Sequence, residues 1–149
     1  MPSAQPAGRA RLRVWGFEVY DASLWVSPGF RQGDFASHGF ALELAYLRDF
    51  RAADIARRSI DEMARVGSFS PQQAQEWAAA LEAALPDVRK GDRLTGVHQP
   101  GRGVLFLVNG KPAGEVRDAQ FAGLFFGIWL APWTSEPALR AALLAGSER

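Results

Sequence analysis

From Arg9 to Val26 polar and apolar residues alternate with period two. Leu12 and Val14 share one face, with Arg11, Arg13 and Trp15 on the other. After an interruption at Gly16, Glu18, Tyr20, Ala22, Leu24 and Val26 share a face opposite Phe17, Val19, Asp21, Ser23 and Trp25. Alternation in a stretch this rich in aromatic and β-branched residues predicts two strands, or one bent strand. Ser27-Pro28-Gly29 ends it, and Phe30 to Gly39 reads as a loop. A third strand follows, in which Phe40, Leu42, Leu44 and Tyr46 alternate with Ala41, Glu43, Ala45 and Leu47.

The period then changes. Ala56, Ile60, Met63 and Gly67 fall at helical spacing and form one small or apolar stripe. Ser70-Pro71-Gln72-Gln73 supplies an N-cap, a proline in the first turn and a capping-box glutamine. The helix it opens carries Ala74, Trp77, Leu81 and Leu85 on one side and stops at Pro86. Arg93 to Val97 and Val104 to Val108 read as strands joined through Gln99-Pro100-Gly101. Asn109-Gly110 predicts a tight hairpin into Lys111 to Val116, because both central positions of a type I′ turn need positive φ. Asp118 caps a helix with Phe121, Leu124, Phe125, Phe126, Ile128, Trp129 and Leu130, apolar on nearly every side and therefore expected to be sandwiched. A last short helix runs from Ser135-Glu136-Pro137 through Leu139 and Leu143 to Gly146. Antiparallel strands with separate helices define an α+β fold.

Composition narrows the function classes. A chain of 149 residues that is 48% hydrophobic and 22% charged is expected to form a single globular domain over residues 9–149. At this length roughly 68–70% of the unfolded surface can be buried, so neither metal nor disulfide is needed for folding. The formal net charge is +1, and the arginines are scattered apart from Arg9, Arg11 and Arg13. That distribution lacks the concentrated basic surface of a nucleic-acid binder. Without cysteine there is no disulfide, thiolate nucleophile or Cys-based zinc site. No run of 18 apolar residues predicts a transmembrane helix. Residues 1–8 lack the apolar core of a secretion signal and read as a disordered tail. The periplasm is the expected location if a leader precedes Met1, the cytoplasm if Met1 is the true start. Pattern and composition leave the oligomeric state open.

Most catalytic constellations fail on counting. His38 and His98 are the only histidines, each in or beside a loop and without second-ligand spacing, so no metal, cofactor or catalytic residue is assigned. Gly101-Arg102-Gly103 precedes a strand, whereas phosphate-cradling glycines open a helix. Asp61-Glu62 adjoin on a helix and read as a solvated face. Three features remain. Arg11 and Arg13 share a strand face, either to grip a carboxylate or to guard an edge strand with charge. Tyr20 offers a polar tip in an apolar pocket, or a core tyrosine with a backbone partner. The aromatic helix and Trp77 either line a hydrophobic cavity or fill the core.

Several segments resemble bacterial chalcone isomerase-like proteins. They are Gly16-Phe17-Glu18-Val19-Tyr20-Asp21-Ala22-Ser23-Leu24-Trp25, Tyr46-Leu47-Arg48-Asp49, Pro86-Asp87-Val88-Arg89-Lys90-Gly91-Asp92 and Phe125-Phe126-Gly127-Ile128-Trp129-Leu130, with Thr134-Ser135-Glu136-Pro137 after them. The resemblance runs from about Arg9 onward and implies an open-faced β-sandwich, an antiparallel sheet with helices on one face and a ligand cleft between. The family includes plant enzymes that cyclise chalcones, fatty-acid-binding relatives and bacterial members of unassigned activity. The plant site uses a strand arginine, a strand threonine and a helical tyrosine and asparagine. Here Arg11 matches the arginine, in competition with Arg9 and Arg13, and Tyr20 stands at the threonine. The helical tyrosine and asparagine have no counterparts, because Asn109 lies in a turn and no tyrosine follows Tyr46. Losing one transition-state donor commonly costs about 10²–10³ in rate, so chalcone isomerase activity is not expected. The leading expectation is a non-catalytic binder of a small hydrophobic or amphipathic ligand, a fatty acid among the candidates, with Arg11, Tyr20, Trp77, Phe125 and Trp129 as its ligand-binding residues. A lyase or isomerase with a divergent site, and an interaction module with a closed pocket, stand as alternatives.

Overall fold

The computed structural model describes residues 3–147. Six strands, β1 (Gln5–Val14), β2 (Phe17–Val26), β3 (Phe40–Tyr46), β4 (Arg93–Gln99), β5 (Gly103–Val108) and β6 (Lys111–Val116), form one antiparallel sheet in chain order. Of the four helices, α1 (Ala52–Val66), α2 (Pro71–Ala84), α3 (Ala119–Leu130) and α4 (Pro137–Leu144), the last three pack on one of its faces and α1 packs on α2 and α3. The alternation of β2 and β3 explains the polarity of the sheet: Tyr20, Ala22, Leu24, Phe40, Leu42, Leu44 and Tyr46 are buried under the helices. The opposite face carries Arg11, Asp21, Ser23, Glu43 and Thr95 and is half-buried or exposed. The expected α+β architecture is therefore present.

Local signals set the element ends. Ser70 and Gln73 complete the reciprocal capping box on α2. The Asp118 carboxylate accepts from the Phe121 amide at 3.0 Å and starts α3. Asn109 (φ 51°) and Gly110 (φ 82°) form the expected β5–β6 turn. Helix α3 is indeed sandwiched, with Phe121, Phe126 and Leu130 fully buried between β5 and α1. Helix α1 has no cap from its own N-cap residue Arg51; instead the Asp87 carboxylate, 35 residues away, accepts from the Ala52 amide at 2.7 Å. That bond and the Phe50–Val88 bridge fix where α1 starts.

Three sequence expectations need correction. The loop from Phe30 to Gly39 contains a short 3-10 turn at Gln32–Ser37. The tail expected over residues 1–8 is structured from Gln5, while Met1 and Pro2 lie outside the described residues. Gln5, Pro6 and Gly8 pair with Val26, Trp25 and Leu24, and Ala7 is buried. The Ala7 carbonyl accepts from the Gly146 amide at 2.7 Å, clamping the segment to the chain beyond α4. A Cβ at Gly8 would sit 2.0 Å from the Ala142 carbonyl oxygen, so the glycine that looked like tail composition permits a close backbone approach. Finally, Glu18 does not share the inner face with Tyr20. The register shifts between Leu12–Tyr20 and Arg13–Glu18, leaving Val19 as an extra residue. This bulge turns Glu18 toward Arg11 and Arg13 and delivers Val19 to the helical side.

Candidate functional site

Between the sheet and α1, α3 and α4 lies a cavity of ≈ 520 Å³. This is within the range of small-molecule sites, about 300–1,000 Å³. Its depth is apolar: Leu44, Leu94, Phe125, Ile128, Trp129 and Leu139 line it, with Leu12, Val14 and Val19 from the first hairpin. Its rim belongs to α1 and the start of α4, where Asp54, Arg57, Arg58, Asp61, Glu62 and Glu136 stand. The rim is charged because Asp54, Arg57, Arg58, Asp61 and Glu62 recur at helical spacing on one side of α1, while Ala56 and Met63 are buried in the core.

Two tyrosines, the only two in the chain, enter this cavity from neighbouring strands. Tyr20 and Tyr46 are register partners across β2 and β3, with ring centroids 5.8 Å apart in an edge-to-face pair. The Tyr20 hydroxyl accepts from the Trp129 indole N–H at 2.8 Å. Burial pushes its pKa up to about 12, partly offset by that hydrogen bond. Tyr46 is raised as well, by burial and then by its proximity to Tyr20. Both remain protonated donors at neutral pH. No buried side-chain polar atom is left without a partner among the described residues. The Tyr46 hydroxyl, which bonds no protein atom there, is accordingly open to the cavity it lines.

Backbone bonds explain how Tyr46 is held. Its amide donates to the Asp92 carbonyl and its carbonyl accepts from Gly91, each at 2.9 Å. The Asp49 carboxylate accepts from the Lys90 amide at 2.8 Å, joining the chain after β3 to the same segment. At the rim the Glu62 carboxylate accepts from the Ser135 hydroxyl at 2.9 Å and lies 3.4 Å from Arg58. Thr134 donates to the Ile128 carbonyl and accepts from the Glu136 amide, fixing the α3–α4 connection above the cavity.

Of the expected site residues, Tyr20, Phe125 and Trp129 meet at this cavity. Arg11 does not. Strand alternation gives the inner face to Leu12 and Val14, and Arg11 forks onto Asp21 (2.6 and 3.0 Å) on the outer face while also pairing with Glu18. Its guanidinium holds both carboxyls below their ordinary pKa. Arg9 and Arg13 are also exposed, so the edge-strand reading fits all three. Trp77 is absent from the lining as well. It packs on Phe69 and Phe121, and its indole N–H donates to Asp118 at 3.0 Å, joining α2 to the cap of α3. Tyr46, Arg58 and Glu62 are cavity residues that sequence reasoning missed. Tyr46 carried a usable signal, since it shares parity with Phe40, Leu42 and Leu44.

His98 is buried, donates from Nδ1 to the His38 carbonyl at 2.7 Å and packs on Phe40 and Phe126. Asn109 stays in its turn, accepting from the Arg93 amide and donating to Asp92. Among the described residues no group of three potential metal ligands occurs, and no helix is long and apolar enough to cross a membrane.

Comparison with known proteins agrees with this architecture. Residues 7–145 match the model of a family described as chalcone isomerase-like. An uncharacterized protein of Haemophilus influenzae is 30% identical over 141 residues, covering 94% of this chain and 67% of the relative. The crystal structure of an Arabidopsis thaliana fatty-acid binding protein superposes with a TM-score of 0.72, covering 95% of this chain and 87% of the plant one. At 10% identity that likeness speaks to the fold.

Proposed function

The chain belongs to the chalcone isomerase-like family, and we propose that it is a non-catalytic binding protein for a small apolar or amphipathic ligand held between the sheet and the helices. The observation that carries this reading is the ≈ 520 Å³ cavity, with an apolar depth, two tyrosines entering it and a charged rim. The structural neighbour's name, fatty-acid binding protein, supports a ligand with a long apolar tail. Leu44, Leu94, Phe125 and Leu139 would enclose that tail, and Tyr20 and Tyr46 would meet its polar group. Arg11 has no part in this version of the site, since it is engaged on the far face of the sheet.

The test is native mass spectrometry and lipid extraction of the purified protein, followed by thermal shift with fatty acids and neutral lipids of graded length. A 1:1 complex is expected, weakened by Val19→Trp, which fills the cavity from its hairpin side. A protein with no bound mass and no thermal shift for any such ligand contradicts the reading.

A further inference from the structure

Resting on that reading, we infer that the cavity selects a neutral ligand bearing a hydrogen-bond-accepting oxygen, such as a ketone or ester, over a carboxylate of the same length. The first ground is the pair of hydroxyls. Tyr20 already accepts from Trp129, so its own proton is left to donate, and Tyr46 bonds no protein atom among the described residues. Tyr46 is 5% exposed and lines the cavity, so a ligand acceptor there satisfies a group that the fold leaves unpaired. Both tyrosines line the cavity with Leu44, Leu94, Phe125 and Trp129. The charges acting on Tyr20 are those of Glu136 and Glu62 against Arg58, so an anion there would lose its water and meet more negative than positive charge.

The second ground is the charge of the rim. Four carboxylates (Asp54, Asp61, Glu62, Glu136) stand against two arginines (Arg57, Arg58), a net of −2 over the same lining. Each arginine already has an acidic neighbour, Arg57 with Asp54 at 3.1 Å and Arg58 with Glu62 at 3.4 Å. A carboxylate ligand would enter a negative rim and compete with Asp54 or Glu62 for its cation. A ketone carbonyl meets neither obstacle. It needs two neutral donors in an apolar wall, the arrangement that Tyr20 and Tyr46 provide.

The experiment is a competition at pH 7.5 among tridecan-2-one, dodecanoate and tridecane, read by calorimetry or by displacement of a fluorescent lipid probe. The ketone is expected to bind at least about tenfold tighter than dodecanoate, equivalent to about 1.4 kcal/mol. It should also bind about 3–10-fold tighter than tridecane, the increment of one or two neutral hydrogen bonds. Tyr46→Phe should erase most of the advantage over tridecane, with the melting temperature staying in place because that hydroxyl bonds no protein atom among the described residues. Dodecanoate binding tighter than the ketone, with that preference abolished by Arg58→Gln, would overturn the neutral-acceptor inference and leave the binding reading standing. Equal affinity for ketone and alkane would also overturn it. Failure of all three ligands to bind tells instead against the binding function itself.

Discussion

Tyr20→Phe is the substitution whose cost follows most directly from the geometry. The ring stays and no large cavity opens, so the change isolates one oxygen. That oxygen accepts from the Trp129 indole at 2.8 Å, and both residues are less than a tenth exposed. Removing it leaves a buried N–H donor without its partner, which costs about 1–3 kcal/mol. In a domain of this size each kcal/mol lowers Tm by about 2–4 °C. The assay is urea denaturation followed by far-UV circular dichroism, with linear extrapolation to water. The pair can be isolated with a double-mutant cycle using Trp129→Phe, which is more costly alone because ring volume is lost as well. In the double variant neither partner remains to be orphaned, so the two losses should sum to more than the observed total by about 0.5–3 kcal/mol. A Tyr20→Phe protein as stable as the parent, or a cycle additive within about 0.5 kcal/mol, would refute the reasoning and place the two groups in water.

Other expectations follow from the same residues. The two tyrosines are the whole phenolate signal of the chain, so an ultraviolet titration should stay flat through pH 10, where free tyrosine ionises. With folded pKa values raised, their contribution to stability is present below pH ~10 and lost as the pH rises through about 12 for Tyr20; ionisation near pH 10 in the folded protein contradicts their burial. Burial lowers the pKa of His98, so the unfolded chain binds its proton more readily. Stability should be full above pH ~6.5 and fall as the pH drops below it, and His98→Gln should flatten that part of the curve. Gly8→Ala should weaken the clamp between β1 and the chain around α4, since the new Cβ meets backbone oxygens at 2.0 and 2.6 Å; faster amide exchange at Gly146 would register it. Arg11→Ala should leave ligand affinity unchanged, because Arg11 faces away from the cavity; an affinity loss would return it to the site.

Much of the fold was legible because local chemistry and periodicity agreed. Ser70 with Gln73, Asp118 and Asn109-Gly110 each satisfied a backbone requirement that needs no distant partner. The parity of β3 placed Tyr46 beneath the helices, although its pairing with Tyr20 depends on strand order. What alternation could not supply was the bulge at Val19, which reverses the face of Glu18, and the backbone contact that makes Gly8 part of a strand. The site was half legible for the same reason. Tyr20, Phe125 and Trp129 follow from faces and from the family resemblance. Arg11 was assigned by that resemblance against its own parity, since Leu12 and Val14 already claimed the inner face. Trp77 looked like a cavity wall because an aromatic helical stripe does not reveal whether space or another ring lies opposite it. The rim of α1 is invisible in sequence, as solvated and cavity-facing charges look alike until Asp87 anchors the start of the helix.

The central claim is that a ligand occupies the space between the sheet and α1, α3 and α4. A crystal structure of the complex with tridecan-2-one tests it most directly. The account predicts a chain enclosed by Leu44, Phe125 and Leu139, with its oxygen within hydrogen-bonding distance of Tyr46. A ligand seated instead on the exposed Trp15–Phe17 hairpin, or a carbonyl turned to the α1 rim, would contradict it.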